Sequence, residues 1–135
     1  MSERLIELEK EALKMQSSGD LQTAIKLYKE IIKEDPGYEF GICFYNLACC
    51  QEDIGELGAA EENYLKSIEY DNEDVVRLGG YASFLYLHGK PKAAFAAYLK
   101  LLKLEKTMGL DITETLTGLF ELGKKIGLTK KDISL

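Results

Sequence analysis

The residues of this sequence that could carry out chemistry are three cysteines, one histidine and many carboxylates. The spacing of Cys43, Cys49 and Cys50 matches neither a zinc site nor a Cys-x-x-Cys redox pair. Since three cysteines cannot all pair within one chain, we expect reduced thiols in a cytoplasmic protein, with Cys49 and Cys50 buried as small apolar residues. His88 stands alone, which excludes a multi-histidine metal site, and its place before Gly89 favours a role at a helix end.

No other arrangement typical of an active site accompanies these residues. The sequence contains no glycine-rich phosphate loop between a strand and a helix, and no nucleophile elbow. Carboxylates are abundant, but no pattern indicates a buried site that would shift their pKa values. We therefore predict a protein that is not an enzyme and that has no catalytic residues, cofactor or metal.

Charge and hydropathy narrow the class of partner. The 135 residues include 17 Lys and Arg and 23 Asp and Glu, a formal net charge of −6. Because cations that neutralise phosphates drive nucleic-acid binding, we expect no nucleic-acid partner. The charges scattered through the first residues argue against a secretory signal, and no apolar run approaches the ~18 residues of a membrane span. We expect no membrane association.

The elements that position these residues recur along the chain. Gly19, Gly55 and Gly89 are separated by 36 and then 34 residues. Alanines and tyrosines follow them in step: Ala24, Ala60, Ala94, Tyr28, Tyr64 and Tyr98. Before each glycine, apolar residues recur three or four apart, as on one face of a helix. Each repeat is therefore predicted to form two helices, the first of which ends where the glycine adopts a left-handed conformation.

This pattern resembles the tetratricopeptide repeat, a helix–turn–helix unit of 34 residues. The resemblance rests on the turn glycines, the recurring alanines and tyrosines, and Pro36, and it covers about residues 5–105. The sequence departs from the family pattern at Met15 and Gln51, where an aromatic residue is usual, and at two closing positions without proline. The resemblance implies an all-α fold, in which antiparallel helix pairs form a right-handed α-α superhelix.

The predicted domain is a single one over residues 1–135, with repeats at about 5–37, 41–72 and 75–106. One further helix, at about 111–126, follows a short insertion, and Asp111 is its expected cap. We interpret this helix as half of a fourth repeat that caps the stack at its C-terminal end. Residues 129–132 resemble a capping box that opens a last short turn.

The resemblance also implies a concave groove lined by the first helix of each pair. Residues three, four and seven apart share a helix face, which selects Glu9, Leu13, Ile42, Tyr45, Asn46, Cys49, Val76, Gly79, Gly80, Ser83 and Tyr86, and on the last helix Glu114, Thr117, Gly118, Glu121, Lys124 and Lys125. We predict that this groove binds a peptide or helix of a partner protein, with Tyr45 and Tyr86 as anchors.

Three of these positions have alternative interpretations. Gly79 and Gly80 each cost a helix about 1 kcal/mol relative to alanine. They either let a ligand approach closely, or let two helices pack closely, or form a tolerated pair. Asn46 either bonds the backbone of a ligand or faces water.

A well-known ligand of this family can be tested on the sequence. Tetratricopeptide co-chaperones hold the carboxylates of heat-shock-chaperone tails with lysines, asparagines and an arginine. The matching positions here are Glu9, Leu13, Asn46, Val76 and Gly80, of which only Asn46 agrees. We therefore predict that such a tail is not the ligand.

Three other interpretations remain open. A homodimer could form on Leu119, Leu122 and Ile126, with Ile133 and Leu135 nearby, because the unpaired last helix is expected to leave them partly exposed. A chain cut from a longer array would expose the same edge. An RNA-binding helical repeat is disfavoured by the net charge of −6. A further open question concerns an acidic stretch, which either is a solvated face or attracts a basic partner. Its residues are Glu56, Glu61, Glu62, Glu69, Asp71, Glu73 and Asp74.

Overall fold

A computed structural model of the chain describes residues 2–128. These residues form seven α-helices and one 3-10 turn, and no strand occurs among them. The helices are α1 (Glu3–Ser18), α2 (Leu21–Glu34), α3 (Ile42–Asp53), α4 (Leu57–Tyr70), α5 (Val75–Leu87), α6 (Pro91–Thr107) and α7 (Thr113–Lys125), and the 3-10 turn is Tyr38–Gly41. The predicted all-α fold class is confirmed.

The chain divides into two compact units. Unit 1, Met1–Asn72, contains α1 to α4, and unit 2, Glu73–Leu135, contains α5 to α7. In unit 1 each helix packs on the next along the chain. In unit 2, α6 packs against both α5 and α7.

The predicted turns are formed by the residues that the sequence indicated. Gly19 ends α1 in the left-handed region, with φ 87°, and Asp20 caps α2 by accepting a hydrogen bond of 3.2 Å from the Thr23 N–H. Gly55 and Gly89 adopt the same conformation after α3 and α5, and Pro91 occupies the first turn of α6. These local signals therefore place each helix pair correctly.

The recurring alanines and tyrosines pack between the two helices of a pair. Ala24, Ala60 and Ala94 are fully buried. The Tyr28 hydroxyl donates to Gln16 Oε1 at 2.7 Å, and the Tyr64 hydroxyl donates to Glu52 Oε1 at 2.6 Å. In both pairs the acceptor lies three residues before the turn glycine. A side-chain hydrogen bond therefore joins the two helices of each of these pairs, in addition to their close packing.

The 3-10 turn between α2 and α3 has no counterpart in the sequence prediction. Glu39 and Phe40 have φ values of 46° and 55°, and Gly41 follows with φ 72°. A Cβ built on Gly41 would lie 2.6 Å from ring atoms of Tyr70, so only glycine fits. The turn therefore combines unfavourable backbone conformations with a close approach to α4.

The last helix differs from its prediction in two respects. It begins at Thr113 rather than near 111, because Asp111 Oδ1 accepts a hydrogen bond of 2.9 Å from the Thr113 N–H ahead of the first turn. The expected exposure is wrong for Leu119 and Leu122, which are fully buried because α7 packs on α6 through its apolar face. Ile126 is half-buried. Residues 129–132, Ile133 and Leu135 lie outside the described residues.

Candidate functional site

Two adjoining cavities open on unit 2, each of about 340 Å³. Residues of α5 and α7 line both cavities, and Tyr98 of α6 lies in both. The two share Ser83, Tyr98 and Glu114, and we call them together the α5–α7 groove. Its lining residues are Val75, Val76, Gly79, Ser83, Tyr86, Leu87, Tyr98, Leu101, Glu105, Glu114, Thr115, Thr117, Gly118 and Glu121.

Glycines widen the α5–α7 groove at two points where packing would permit a larger residue. A Cβ on Gly79 would lie 3.7 Å from Leu101 Cδ2, which is an ordinary contact. A Cβ on Gly118 would lie 3.7 Å from the nearest atom of the Tyr98 ring. Close helix packing therefore does not explain Gly79, although a glycine inside a helix costs about 1 kcal/mol relative to alanine.

Tyr86 forms a wall of the groove and is tied to α7. Its hydroxyl donates to Glu121 Oε2 at 3.1 Å, and the Lys125 ammonium lies 4.8 Å from the centre of its ring. The hydrogen bond to Glu121, with a smaller contribution from desolvation, raises the pKa of the Tyr86 hydroxyl. Tyr86 therefore keeps its proton at neutral pH and presents a fixed aromatic surface.

The charge of the groove is negative. Among the described lining residues, Glu105, Glu114 and Glu121 carry charge, and none is lysine or arginine. Glu105 Oε1 accepts a hydrogen bond of 2.6 Å from the Thr115 hydroxyl. At the rims, the side chains of Val76 and Leu87 are 58% and 67% exposed. The surface thus combines carboxylates with apolar contacts.

The predicted groove residues of unit 1 are engaged in contacts of their own. Glu9 accepts a hydrogen bond of 3.0 Å from the Tyr38 hydroxyl, and burial raises the pKa of its carboxyl. The Tyr45 ring meets the Tyr64 ring edge-on, with centres 5.7 Å apart. Cys49 is half-buried, and burial raises the pKa of its thiol.

Three further predicted residues of unit 1 differ in their exposure. Ile42 packs against the unit 1 core, Asn46 is half-buried, and Leu13 is exposed. Two cysteines outside the predicted groove, Cys43 and Cys50, are buried, as was expected for Cys50. Burial raises their thiol pKa values to about 12 and about 11, so both are protonated at neutral pH.

The structure brings four of the predicted residues of α5 together in the α5–α7 groove, namely Val76, Gly79, Ser83 and Tyr86. Gly80 is half-buried and lines neither cavity. On α7, the predicted face supplies Glu114, Thr117, Gly118 and Glu121, whereas Lys124 and Lys125 are exposed outside the lining.

Sequence reasoning missed the contribution of α6 to the groove. Tyr98, Leu101 and Glu105 line it, although the resemblance had assigned the groove to first helices alone. One signal was present in the sequence. The residue three before the turn glycine is polar in the first two repeats but is Tyr86 in the third, so a tyrosine stands at the position where Gln16 accepts the hydrogen bond from Tyr28.

A family model described as tetratricopeptide repeat matches residues 43–74. No curated protein sequence is significantly similar to the chain. Among the described residues, no helix is both long enough and apolar enough to cross a membrane.

Solved structures match nearly the whole chain. The type III secretion chaperone SycD of Yersinia enterocolitica, in complex with a peptide of the translocator YopD, is 20% identical with a TM-score of 0.79, over 93% of this chain and 97% of that one. The TPR2B domain of yeast Sti1, in a complex with pHsp70, is 19% identical with a TM-score of 0.80, over 92% and 99%.

A third match is the first tetratricopeptide domain of Spaghetti (RPAP3), bound to an HSP90 peptide. It is 16% identical with a TM-score of 0.79, over 93% of this chain and 95% of that one. At such identities the likeness concerns the fold. Together with the repeated turn and helix-pair contacts, it shows that the chain has the tetratricopeptide-repeat fold, within which residues 43–74 match the family model.

Proposed function

We propose that this chain is a non-catalytic protein-interaction module, and that it binds a peptide or helix of a partner protein in the α5–α7 groove. The observation that carries the proposal is Gly79. Its helix would gain stability from alanine, and a Cβ would meet only an ordinary contact at 3.7 Å. The glycine therefore preserves open space in the groove rather than close packing, and a ligand backbone is what such space admits.

The solved structures support the class of function. SycD and the Spaghetti domain are each bound to a peptide of another protein. The α5–α7 groove offers a partner apolar contacts at Val76 and Leu87 and a fixed aromatic wall at Tyr86. Aromatic side chains that become buried on binding supply much of the binding energy in many interfaces.

The groove also favours a non-catalytic role. Its described lining contains hydroxyls and carboxylates but neither a histidine nor a cysteine. A nucleophile would need an activating base within hydrogen-bond reach, oriented by a third group. We propose no such role for any lining residue.

The prediction that heat-shock-chaperone tails are not the ligand is retained. In unit 1, Glu9 stands at a position where the co-chaperones that hold such tails have a cation. Its carboxylate accepts a hydrogen bond from the Tyr38 hydroxyl. In unit 2, a ligand carboxylate in the groove would meet Glu105 and Glu114. Repulsion between these like charges disfavours the binding of an acidic tail.

The test uses peptides selected on the full chain from a randomised twelve-residue display library. Their affinities are measured by fluorescence anisotropy for the wild type, for Gly79→Leu and for Gly58→Leu. Gly58 lies in α4, where an added Cβ meets nothing within 4 Å, so it is the matched control. We expect Gly79→Leu to abolish binding, because its side chain fills the cavity that Gly79 lines, and Gly58→Leu to preserve it.

Folding of the variants is checked by circular dichroism and urea unfolding, together with Gly79→Ala. Alanine at position 79 should raise the free energy of unfolding by about 0.5–1 kcal/mol, as expected for an uncrowded helix position. Equal peptide affinity for wild type and folded Gly79→Leu would contradict the proposed site. A destabilised Gly79→Ala would show that packing requires the glycine after all.

A further inference from the structure

The α5–α7 groove has one carboxylate that the fold leaves uncommitted. Glu105 accepts a hydrogen bond from Thr115, and Glu121 accepts one from Tyr86. Glu114 lines both cavities, and it makes no hydrogen bond or ion pair with another residue of the described range 2–128. An unpaired carboxylate between two flanking carboxylates is a place where a cation lowers the electrostatic energy.

The cation of Lys125, which is also on α7, serves a different group. The Lys125 ammonium lies 4.8 Å from the centre of the Tyr86 ring, so the ring already has a cation partner at the end of the second cavity. No lysine or arginine lies among the described lining residues. The negative charge around Glu114 is therefore available to a ligand.

Apolar surface surrounds this carboxylate on both sides. The first cavity is lined by Val75, Val76 and Leu101, next to the space that Gly79 leaves open. The second cavity is lined by Leu87 and Tyr86. Because Glu114 is common to both, a basic side chain placed on it would have apolar positions before and after it.

From this arrangement we infer that the ligand of the α5–α7 groove is a cationic peptide segment, in which a lysine or arginine contacts Glu114 and a neighbouring apolar side chain enters the cavity beside Gly79. This inference rests on the proposed function, and it adds the chemical class of the partner. The net charge of −6 acts in the same direction, since it attracts a basic segment over a longer range.

The probes are the peptides selected on the wild-type chain from the randomised library. Lysine and arginine should be enriched over aspartate and glutamate among those that Gly79→Leu fails to bind. Their dissociation constants are then measured for Glu114→Gln, for Glu114→Lys and for Glu11→Lys. Glu11 is exposed on α1 and outside the predicted groove face, so Glu11→Lys is the matched control for net charge.

We expect Glu114→Gln to weaken binding about two- to five-fold, as for an exposed ion pair, and Glu114→Lys to weaken it about ten-fold or more. The control Glu11→Lys should change it less than two-fold. For the wild type, raising the salt concentration should weaken binding, and for Glu114→Lys this dependence should be smaller.

The outcomes separate this inference from the proposed function. Peptides that need Gly79 but are neutral or acidic, or that bind Glu114→Lys as well as wild type, would overturn the cationic ligand and leave the groove as the site. Peptides that bind Gly79→Leu unchanged, or a library that yields no binder, would overturn both. Equal weakening by Glu11→Lys and Glu114→Lys would show a general charge effect and contradict the contact with Glu114.

Discussion

At the scale of single residues, two glycines illustrate opposite reasons for having no side chain. Gly41 is left-handed, with φ 72°, and a Cβ there would lie 2.6 Å from the Tyr70 ring. Gly79 is helical, and a Cβ there would make an ordinary contact at 3.7 Å. The first glycine is required by the fold. The second costs the helix stability, and close packing does not account for it.

The requirement at Gly41 predicts the cost of a methyl group. Gly41→Ala should lower the free energy of unfolding by about 3 kcal/mol, since backbone strain and a clash with Tyr70 add. The control is Gly55→Ala, which has the same left-handed conformation, φ 84°, but nothing within 4 Å of its Cβ. It should lose only about 1 kcal/mol. Equal losses in urea unfolding would contradict the close approach of Tyr70.

The buried thiols predict a loss of stability at alkaline pH. Burial raises the pKa of Cys43 from 9.0 to about 12, and that of Cys50 to about 11. An acid whose pKa is raised on folding contributes its full stability below the unfolded pKa, and this stability is lost as pH rises towards the folded value. The melting temperature should therefore fall between about pH 9 and pH 12.

Thermal melts across this range, on the wild type and on Cys43→Ala, measure the effect. Buried tyrosines whose pKa values are also raised, such as Tyr28 and Tyr64, contribute to the same decline above pH 10. The wild type should fall more steeply than Cys43→Ala, because the variant lacks one thiol that must ionise. Parallel curves would show that Cys43 does not titrate with unfolding.

At the scale of helices, the first two repeats have a tyrosine hydrogen bond between their paired helices, and the third repeat differs from them. Tyr28 and Tyr64 donate to Gln16 and Glu52, each on the preceding helix. In the third repeat the corresponding residue is Tyr86, which donates instead to Glu121 on α7. In the third repeat the hydrogen bond therefore joins α5 to α7 instead of joining the paired helices α5 and α6. Tyr98 of α6 lines the α5–α7 groove.

This difference predicts unequal effects of removing the hydroxyl. Tyr64→Phe should lower the free energy of unfolding by about 1.5–3 kcal/mol, because a buried hydrogen bond to a carboxylate is lost. Tyr98→Phe, the same change at the equivalent position, should cost less than about 0.5 kcal/mol. Urea unfolding of both variants tests the comparison. A loss for Tyr98→Phe as large as that for Tyr64→Phe would contradict it.

The last helix shows where a pattern in sequence falls short. Its apolar spacing predicted a helix correctly, but this spacing does not indicate which neighbouring element covers the apolar face. Leu119 and Leu122 are buried within unit 2, where α7 packs on α6, so no second copy of the chain is needed to cover them. The expected basis for a homodimer on these two residues is thereby removed.

At the scale of the whole molecule, the sequence predicts what local signals determine. The turn glycines, Asp20 and Pro91 act within one turn of a helix, so helix pairs and boundaries follow from them. The 3-10 turn was missed because Glu39 and Phe40 adopt left-handed backbone conformations, which no local preference of these residue types indicates. The part of α6 in the groove was missed for a similar reason, since the tertiary arrangement exposes Tyr98.

The candidate site is predictable to a similar extent. Helical spacing selected the groove faces of α5 and α7, which line the α5–α7 groove over four residues each. It did not distinguish Gly79, which lines a cavity, from Gly80, which does not. That distinction depends on the orientation of α5 against α6, and spacing along one helix contains no information on it.

The most direct test of a ligand site in the α5–α7 groove is a titration of the ¹⁵N-labelled chain with a selected lysine-bearing peptide, followed by amide chemical shifts. We predict the largest shift changes at Gly79, Ser83, Thr117 and Gly118, and their absence in Gly79→Leu. Shift changes concentrated in α1 to α4, with those four amides unmoved, would contradict the central claim.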